Sequence, residues 1–235
     1  MRVDFHTHIL PAIDDGSTSI AESLEMLRME WKQGIRCVAA TPHFYANRDN
    51  LDDFLIRRAQ AAEELRQAMA ECKEIPEILL GAEVQYFRGI SDCEVLAKLA
   101  LEGTRLVLIE LPPAPWKDEI YCELDGIWRK QSLIPIIAHV DRYISPMRTY
   151  GIPKRLSELP VLVQANGEFF LRRRTVRFAE KLLRQGKIHV LGSDCHNLTD
   201  RKPNLVAVQE KICKHLGESA LEKIRGRENI FLVSK

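Results

Sequence analysis

An α/β fold built on a parallel sheet is the class this sequence predicts, on two observations. Short apolar or β-branched runs alternate along the chain with longer helical stretches, the pattern of repeated strand–helix units. Each run is also followed, at the same end, by a histidine, a carboxylate or an asparagine. Whether the sheet closes into a barrel or stays open is not decided by either observation.

Seven runs read as strands: 3–5, 35–40, 78–84, 105–109, 134–138, 161–165 and 189–192. The first helix, from residue 20, is the clearest. Ser19 with Glu22 forms a capping box, Ile20, Leu24, Leu27 and Trp31 recur at helical spacing, and Gly34 ends it. Residues 51–73, 92–101, 118–131, 172–185 and 203–216 read as helices by the same criteria. No internal repeat, low-complexity tract or linker-like shift in composition interrupts the order, so one domain over 1–235 is expected.

Thirty-four Lys and Arg against thirty-three Asp and Glu leave a net charge of +1, so no overall field holds the chain on nucleic acid or on an anionic membrane. A hydrophobic content of 46% with 29% charged residues is ordinary for a globular core and excludes a disordered chain. The start, MRVDFHTHIL, lacks the apolar core of a signal peptide, and no run approaches the roughly 18 apolar residues of a membrane span. A cytoplasmic location is the expectation. Six cysteines without a C-x-x-C pair argue against a zinc ribbon or a disulfide framework.

The chemistry lies at the strand ends. There stand His6 and His8, then His43, Glu83, Glu110, His139, Asn166, and finally Asp194 and His196. An α/β barrel builds its active site at that end of its strands. One histidine there would read as structural; five of the seven do not, and only His189 and His215 are left as structural. His6 and His8, two apart on a strand, face one side and can grip one ion, and Asp194 and His196 repeat the spacing. With Glu83, Glu110, His43, His139 and one carboxylate of the Asp14–Asp15 pair, the candidate ligands exceed what one tetrahedral zinc needs. Two or three ions are implied, and imidazole with carboxylate but no thiolate favours manganese, iron, magnesium or zinc. Such clusters hydrolyse phosphate esters with a metal-activated hydroxide. Arg142 and Arg201, each close behind a candidate ligand, offer guanidinium forks to a phosphate, against the alternative of surface ion pairs.

Two further features carry competing readings. Cys195 to Arg201 satisfies C-x5-R, the spacing of thiolate-dependent tyrosine phosphatases, but the intervening HNLTD has no glycine to wrap a phosphate, and Asp194 beside the thiol raises its pKa. The metal route is preferred. The run Arg172-Arg173-Arg174 with Arg177 reads either as a solvated face or as an attractor for an acidic, phosphorylated tail.

The stretches DFHTHILPAIDDGS, ATPHF, GAEV, LIELP, AHVDRY, VQANG and GSDCHN, in that order, resemble the bacterial tyrosine-protein phosphatases of the polymerase and histidinol phosphatase (PHP) superfamily, of the capsule and exopolysaccharide type. The resemblance runs from Arg2 to about Arg201. It implies a distorted (β/α)7 TIM-like barrel with a trinuclear, usually manganese-supported centre. The implied substrate is the phosphorylated tail of a cognate tyrosine kinase; neither nucleic acid nor membrane insertion is implied, and assembly into an oligomer is left open. Carried over by position, His6, His8, Glu83 and Asp194 surround one ion with Glu83 bridging, and Asp15, His43, Glu110, His139 and His196 complete the other sites. Arg142 and Arg201 match the phosphate-contacting arginines, and Asp15 is taken over Asp14 as the ligand. Asp141, where the pattern has Glu, and Cys195, where a small or apolar residue is commoner, are departures outside the ligand set. The alternatives are a histidinol-phosphate or other small-molecule phosphatase on the same metal site, and a non-catalytic metal-stabilised regulatory module.

Overall fold

A computed structural model describes residues 2–232, with side chains to 228. Among the described residues are nine strands: β1 (Val3–Thr7), β2 (Cys37–Ala40), β3 (His43–Phe44), β4 (Glu77–Leu80), β5 (Glu83–Gln85), β6 (Leu106–Glu110), β7 (Ile134–Ile137), β8 (Leu162–Asn166) and β9 (Val190–Gly192). Interleaved are helices α1 (Ile20–Lys32), α2 (Leu51–Ala70), α3 (Asp118–Gln131), α4 (Ile152–Leu156), α5 (Gly167–Leu171), α6 (Val176–Arg184), α7 (Leu205–Leu216) and α8 (Glu218–Leu232).

All strand pairs are parallel, in a three-stranded piece β1-β2-β4 and a six-stranded piece β3-β5-β6-β7-β8-β9. The α/β class and the parallel sheet are as expected; the sheet is curled, and its ladders do not form the uninterrupted seven-strand ring of a regular barrel. The strand expected at 78–84 is broken into β4 and β5, and at the matching place the strand expected at 35–40 ends as β2 and is followed by an unexpected short strand, β3. Pro42, which has no N–H to donate, follows β2, and Gly81-Ala82 follows β4. The register resumes unchanged, Ala40 opposite Leu80 before the gap and His43 opposite Glu83 after it. First and last strands meet through Asp194 N–H to His6 O at 2.8 Å and His8 N–H to Cys195 O at 2.9 Å. The ladder between β1 and β2 slips between Asp4 and Thr7. With that slip, Asp4 turns its carboxylate to the Ser193 N–H at 3.0 Å, while His6 and His8 face the other way, toward Glu83.

Two apolar layers hold the sheet. A smaller cluster of residues including Val3, Phe5, Ala39, Leu108, Ile136 and Val190 fills the concave side, and a larger one packs the convex side against the helices. The cap of α1 is as read: Ser19 accepts the Glu22 N–H at 3.2 Å, although the Glu22 carboxylate reaches back to Thr18 N–H, not to Ser19. Residues 92–101, expected as a helix, form two 3-10 segments, Ile90–Asp92 and Glu94–Leu99. The cause is tertiary. Glu123 on α3 takes the amides of Gly89 and Ser91 at 2.8 and 2.9 Å, and Gln131 donates to the carbonyls of Ile90 and Ser91, so α3 fixes the backbone that leads into this segment. The expected helix 172–185 begins only at Val176, because Arg172 N–H closes α5 on Glu168 O and Thr175 Oγ1 donates to Phe169 O. Helices α4, α5 and α8 were not anticipated, the first two being single turns and α8 carrying a glycine, Gly226, in a mostly polar stretch.

Candidate metal centre

Of the nine residues expected as metal ligands all but Asp15 arrive from strand ends or the turns just after them, and four of their imidazoles converge on one carboxylate. Glu83 opens β5 and is buried at 1% exposure. Its oxygens lie 2.7 Å from His139 Nε2, 3.0 Å from His43 Nδ1, 3.2 Å from His6 Nε2 and 3.4 Å from His8 Nε2. Burial pushes Glu83 toward protonation, but the His6 charge and hydrogen bonds from His139 and His43 hold it well below the usual carboxylate range.

Three groups of donors sit close enough to share an ion: His6, His8 and Asp194; His8, Asp15, His43 and His196; and His43, Glu83 and Glu110. In the first, the two imidazole nitrogens face each other at 3.1 Å, and Asp194 Oδ1 is 3.6 Å from both. In the second, Asp15 Oδ1 is 3.4 Å from His43 Nε2 and 3.5 Å from His196 Nε2. Glu110 Oε1 lies 3.5 Å from His139 Nε2, which brings the ninth residue to the same cluster. The donors fit divalent cations on their own chemistry. Four imidazoles crowd one carboxylate, two of them nitrogen to nitrogen, and the buried His196 Nε2 has no aligned hydrogen bond.

The residues behind the ligands show how the cluster is aimed. Asp14, not itself facing the cluster, bonds His8 Nδ1 at 2.8 Å and accepts the amides of Gly16 and His43 at 2.9 Å each. Burial opposes the charge on both partners, but the pair raises His8 to about 10 and lowers Asp14 to about 2. A cation at Nε2 would displace the second proton while Asp14 keeps the first on Nδ1, the arrangement that orients ligating histidines. Gln164 on β8 accepts the His139 N–H at 2.5 Å, and its Nε2 donates to Asn166 Oδ1 at 2.9 Å. Asn166 Nδ2 donates to Asp194 Oδ2 at 2.8 Å. Two candidate ligands have backbones in the left-handed region, His139 at φ +32° and Asp194 at φ +55°. Non-glycine residues hold that conformation only where the surroundings impose it, and such positions concentrate at functional sites. Sequence reasoning missed Asp14 and Gln164 as orienting groups; the doubled acid of IDDG was the one visible signal for Asp14.

Arg142 and Arg201 both reach Asp194, at 2.7 and 2.8 Å, so neither is a surface ion pair remote from the site. They line a cavity of about 240 Å³ with Asn166, Ser193 and Arg172. Cys195 is fully buried, and burial, then Glu30 and Asp4, push its thiol well above the ordinary range, which removes the thiolate reading. His189 and His215 have structural partners as expected: His189 Nδ1 accepts the Val163 N–H at 2.9 Å, and His215 Nδ1 pairs with Glu180 at 2.6 Å. No helix among the described residues is long and apolar enough to cross a membrane.

A family model for capsular polysaccharide synthesis, CpsB/CapC, matches residues 2–232. The tyrosine-protein phosphatase YwqE of Bacillus subtilis is 29% identical over 210 residues, 85% of this chain and 79% of the relative. Among solved structures, one from the work on YwqE of Bacillus subtilis and CpsB of Streptococcus pneumoniae, described as unique metal-dependent tyrosine phosphatases, superposes with a TM-score of 0.79 at 25% identity, covering 95% of this chain and 94% of that one. The histidinol phosphate phosphatase of Lactococcus lactis subsp. lactis, solved with zinc, L-histidinol and phosphate, shares the fold at a TM-score of 0.59 and 17% identity, over 93% of each chain.

Proposed function

The chain belongs to the CpsB/CapC capsular polysaccharide synthesis family, and from that premise we infer that it is a metal-dependent tyrosine-protein phosphatase. The observation that carries the reading is the single buried carboxylate of Glu83 ringed by four imidazoles within 3.4 Å. A structural core has no use for that crowding, whereas a cluster of cations satisfies every member of it.

We assign His6, His8, Glu83 and Asp194 to one ion, Asp15, His43 and His196 to a second, and Glu110 and His139, with Glu83 and His43, to a third. Manganese is the metal we expect, with iron, magnesium or zinc able to occupy the same donors. When bound, the ions lower the pKa of water and neutralise charge on the phosphoryl group. The protein's own part is positioning. Arg142 and Arg201, paired on Asp194, turn their remaining N–H groups into the cavity, where a phosphoryl group would receive two guanidinium forks. The leaving group of phosphotyrosine is a phenolate with a pKa of about 10, which departs with little help from a general acid. We read the whole as one domain, a distorted (β/α)7 barrel whose ring is completed by the β1 to β9 hydrogen bonds. The physiological substrate we propose is the phosphorylated tail of a cognate bacterial tyrosine kinase, met in the cytoplasm, through which the enzyme regulates capsular or exopolysaccharide synthesis.

The test is hydrolysis of a phosphotyrosine peptide by the purified protein as prepared, after chelation, after manganese is returned, and after thiol alkylation. Loss on chelation, recovery with manganese and indifference to alkylation are expected. Silence in every arm sinks the phosphatase reading.

A further inference from the structure

Of the four arginines in the run Arg172-Arg173-Arg174 and Arg177, the structure separates one from the rest. Arg172 lines the cavity of about 240 Å³ that holds Arg142, Arg201 and Asp194. It also lines a neighbouring cavity of about 360 Å³, with Lys202, Leu171 and Asn204. Arg173, Arg174 and Arg177 are exposed and line neither. The two cavities have Glu168, Arg172 and Asn204 in common, so they form a trough leading outward from Asp194, between α5 and the loop before α7.

We propose that Arg172, with Lys202, determines specificity for phosphotyrosine peptides that carry a carboxylate side chain next to the phosphorylated residue. The inference rests on the phosphatase reading above, because it is the pair Arg142 and Arg201 that marks where the phosphoryl group lies. A peptide with its phosphotyrosine there must run its neighbouring residues out along an open path, and the trough is such a path. Arg172 is held at the junction by an ion pair to Glu168, one turn back. A guanidinium has five N–H donors, so one carboxylate leaves others free for a ligand. The second acid of the outer cavity, Asp200, already accepts from Thr199 Oγ1 at 2.7 Å, and Lys202 is exposed. Leu171 gives the outer cavity an apolar wall that suits a peptide better than a free ion.

The experiment compares kcat/KM of the manganese-loaded enzyme on two phosphotyrosine peptides identical except for Asp and Glu against Asn and Gln at the flanking positions, with an aryl phosphate as a third substrate. The wild type should favour the acidic peptide, and Arg172→Glu should lower that preference roughly five-fold or more, chiefly through KM, since reversal both removes attraction and adds repulsion. Lys202→Glu should lower it in the same direction. The double variant Arg173→Glu, Arg174→Glu should keep the wild-type preference. No preference in the wild type, an equal loss on both peptides in Arg172→Glu, or the same loss in the double variant would each overturn the proposal. A wild type that cleaves the aryl phosphate but shows no peptide preference fails this inference alone. One that cleaves none of the three fails the phosphatase reading, and this inference with it.

Discussion

Asp14 illustrates how a residue that touches no substrate can decide whether a centre forms. Its carboxylate fixes the His8 tautomer and at the same time ties the His43 backbone to the loop after β1, so one side chain sets two ligands. Asp14→Asn should weaken metal affinity by about 10- to 100-fold, the usual cost of losing a carboxylate behind a ligating histidine, with activity recovered at high manganese. Asp15→Asn should lower metal content without that recovery. Metal titration followed by activity separates the two. His139→Ala or Asp194→Ala should abolish turnover, whereas Cys195→Ser should nearly preserve it; an inactive Cys195→Ser protein with full metal content would overturn the mechanism. His189 carries a separate, purely structural prediction. Burial, then the charges of Arg227 and Lys187, lower its pKa from 6.5 to about 4. The unfolded chain therefore takes up a proton that the folded one refuses, so the stability His189 contributes is complete above about pH 6.5 and is lost as pH falls toward 4, to the extent of about 3 kcal/mol. His189→Asn, whose amide oxygen can still accept the Val163 N–H, should flatten the acid limb of a urea-midpoint profile between pH 6.5 and 4. An unchanged limb would remove His189 as its source.

At the scale of elements, the site depends on strands that come closer than side chains ordinarily permit. A Cβ on Gly192 would stand 2.6 Å from His6 Cβ and 2.8 Å from Gln164 Nε2. Gly192→Ala should therefore displace β9 from β1, cost roughly 1–3 kcal/mol in stability, and reduce metal content, measured together by urea denaturation and metal analysis of the same preparation. The left-handed backbones of His139 and Asp194 belong to this scale too, because Gln164 and the β1 to β9 hydrogen bonds impose them. Much of the element order was legible in the sequence. α1, with its Ser19 cap, and α3 fall where the structure puts them, and of the six candidate strands from 35 onward five appear with small changes at their ends while 78–84 is split into β4 and β5. The 3-10 segments were not legible, because Glu123 and Gln131, distant in sequence, fix the backbone at 89–91 from which the segment starts.

For the whole molecule, without cations the buried Glu83 is held ionised by the neighbouring histidines, and Asp194 by histidines together with Arg142 and Arg201. Cations that bind the folded state alone should raise its stability by linkage, about 2.7 kcal/mol per site at a hundredfold excess over Kd. At about 2–4 °C per kcal/mol for a chain of this size, that is roughly 5–10 °C in Tm per site. Thermal scans with and without chelator check this, and coincident curves would show that the cluster does not bind manganese as assigned. A net charge of +1 also means that substrate attraction must be local, which places it on the charged groups around the cavity.

By itself the sequence determined which residue types gather at one end of a parallel sheet, because alternation along a strand and the direction of strand–helix units are local properties that leave a local trace. It therefore carried the nine candidate ligands, both arginines and the α/β class. Only the tertiary structure decided that Asp14 faces away from the cluster, that Asp4 turns from the His6 face through a slipped register, that the strand expected at 78–84 breaks at Gly81, and that Arg172 alone of its run reaches the cavity. Those outcomes depend on what packs across strands and loops remote in sequence, and distances between such groups are not encoded in the spacing of either one.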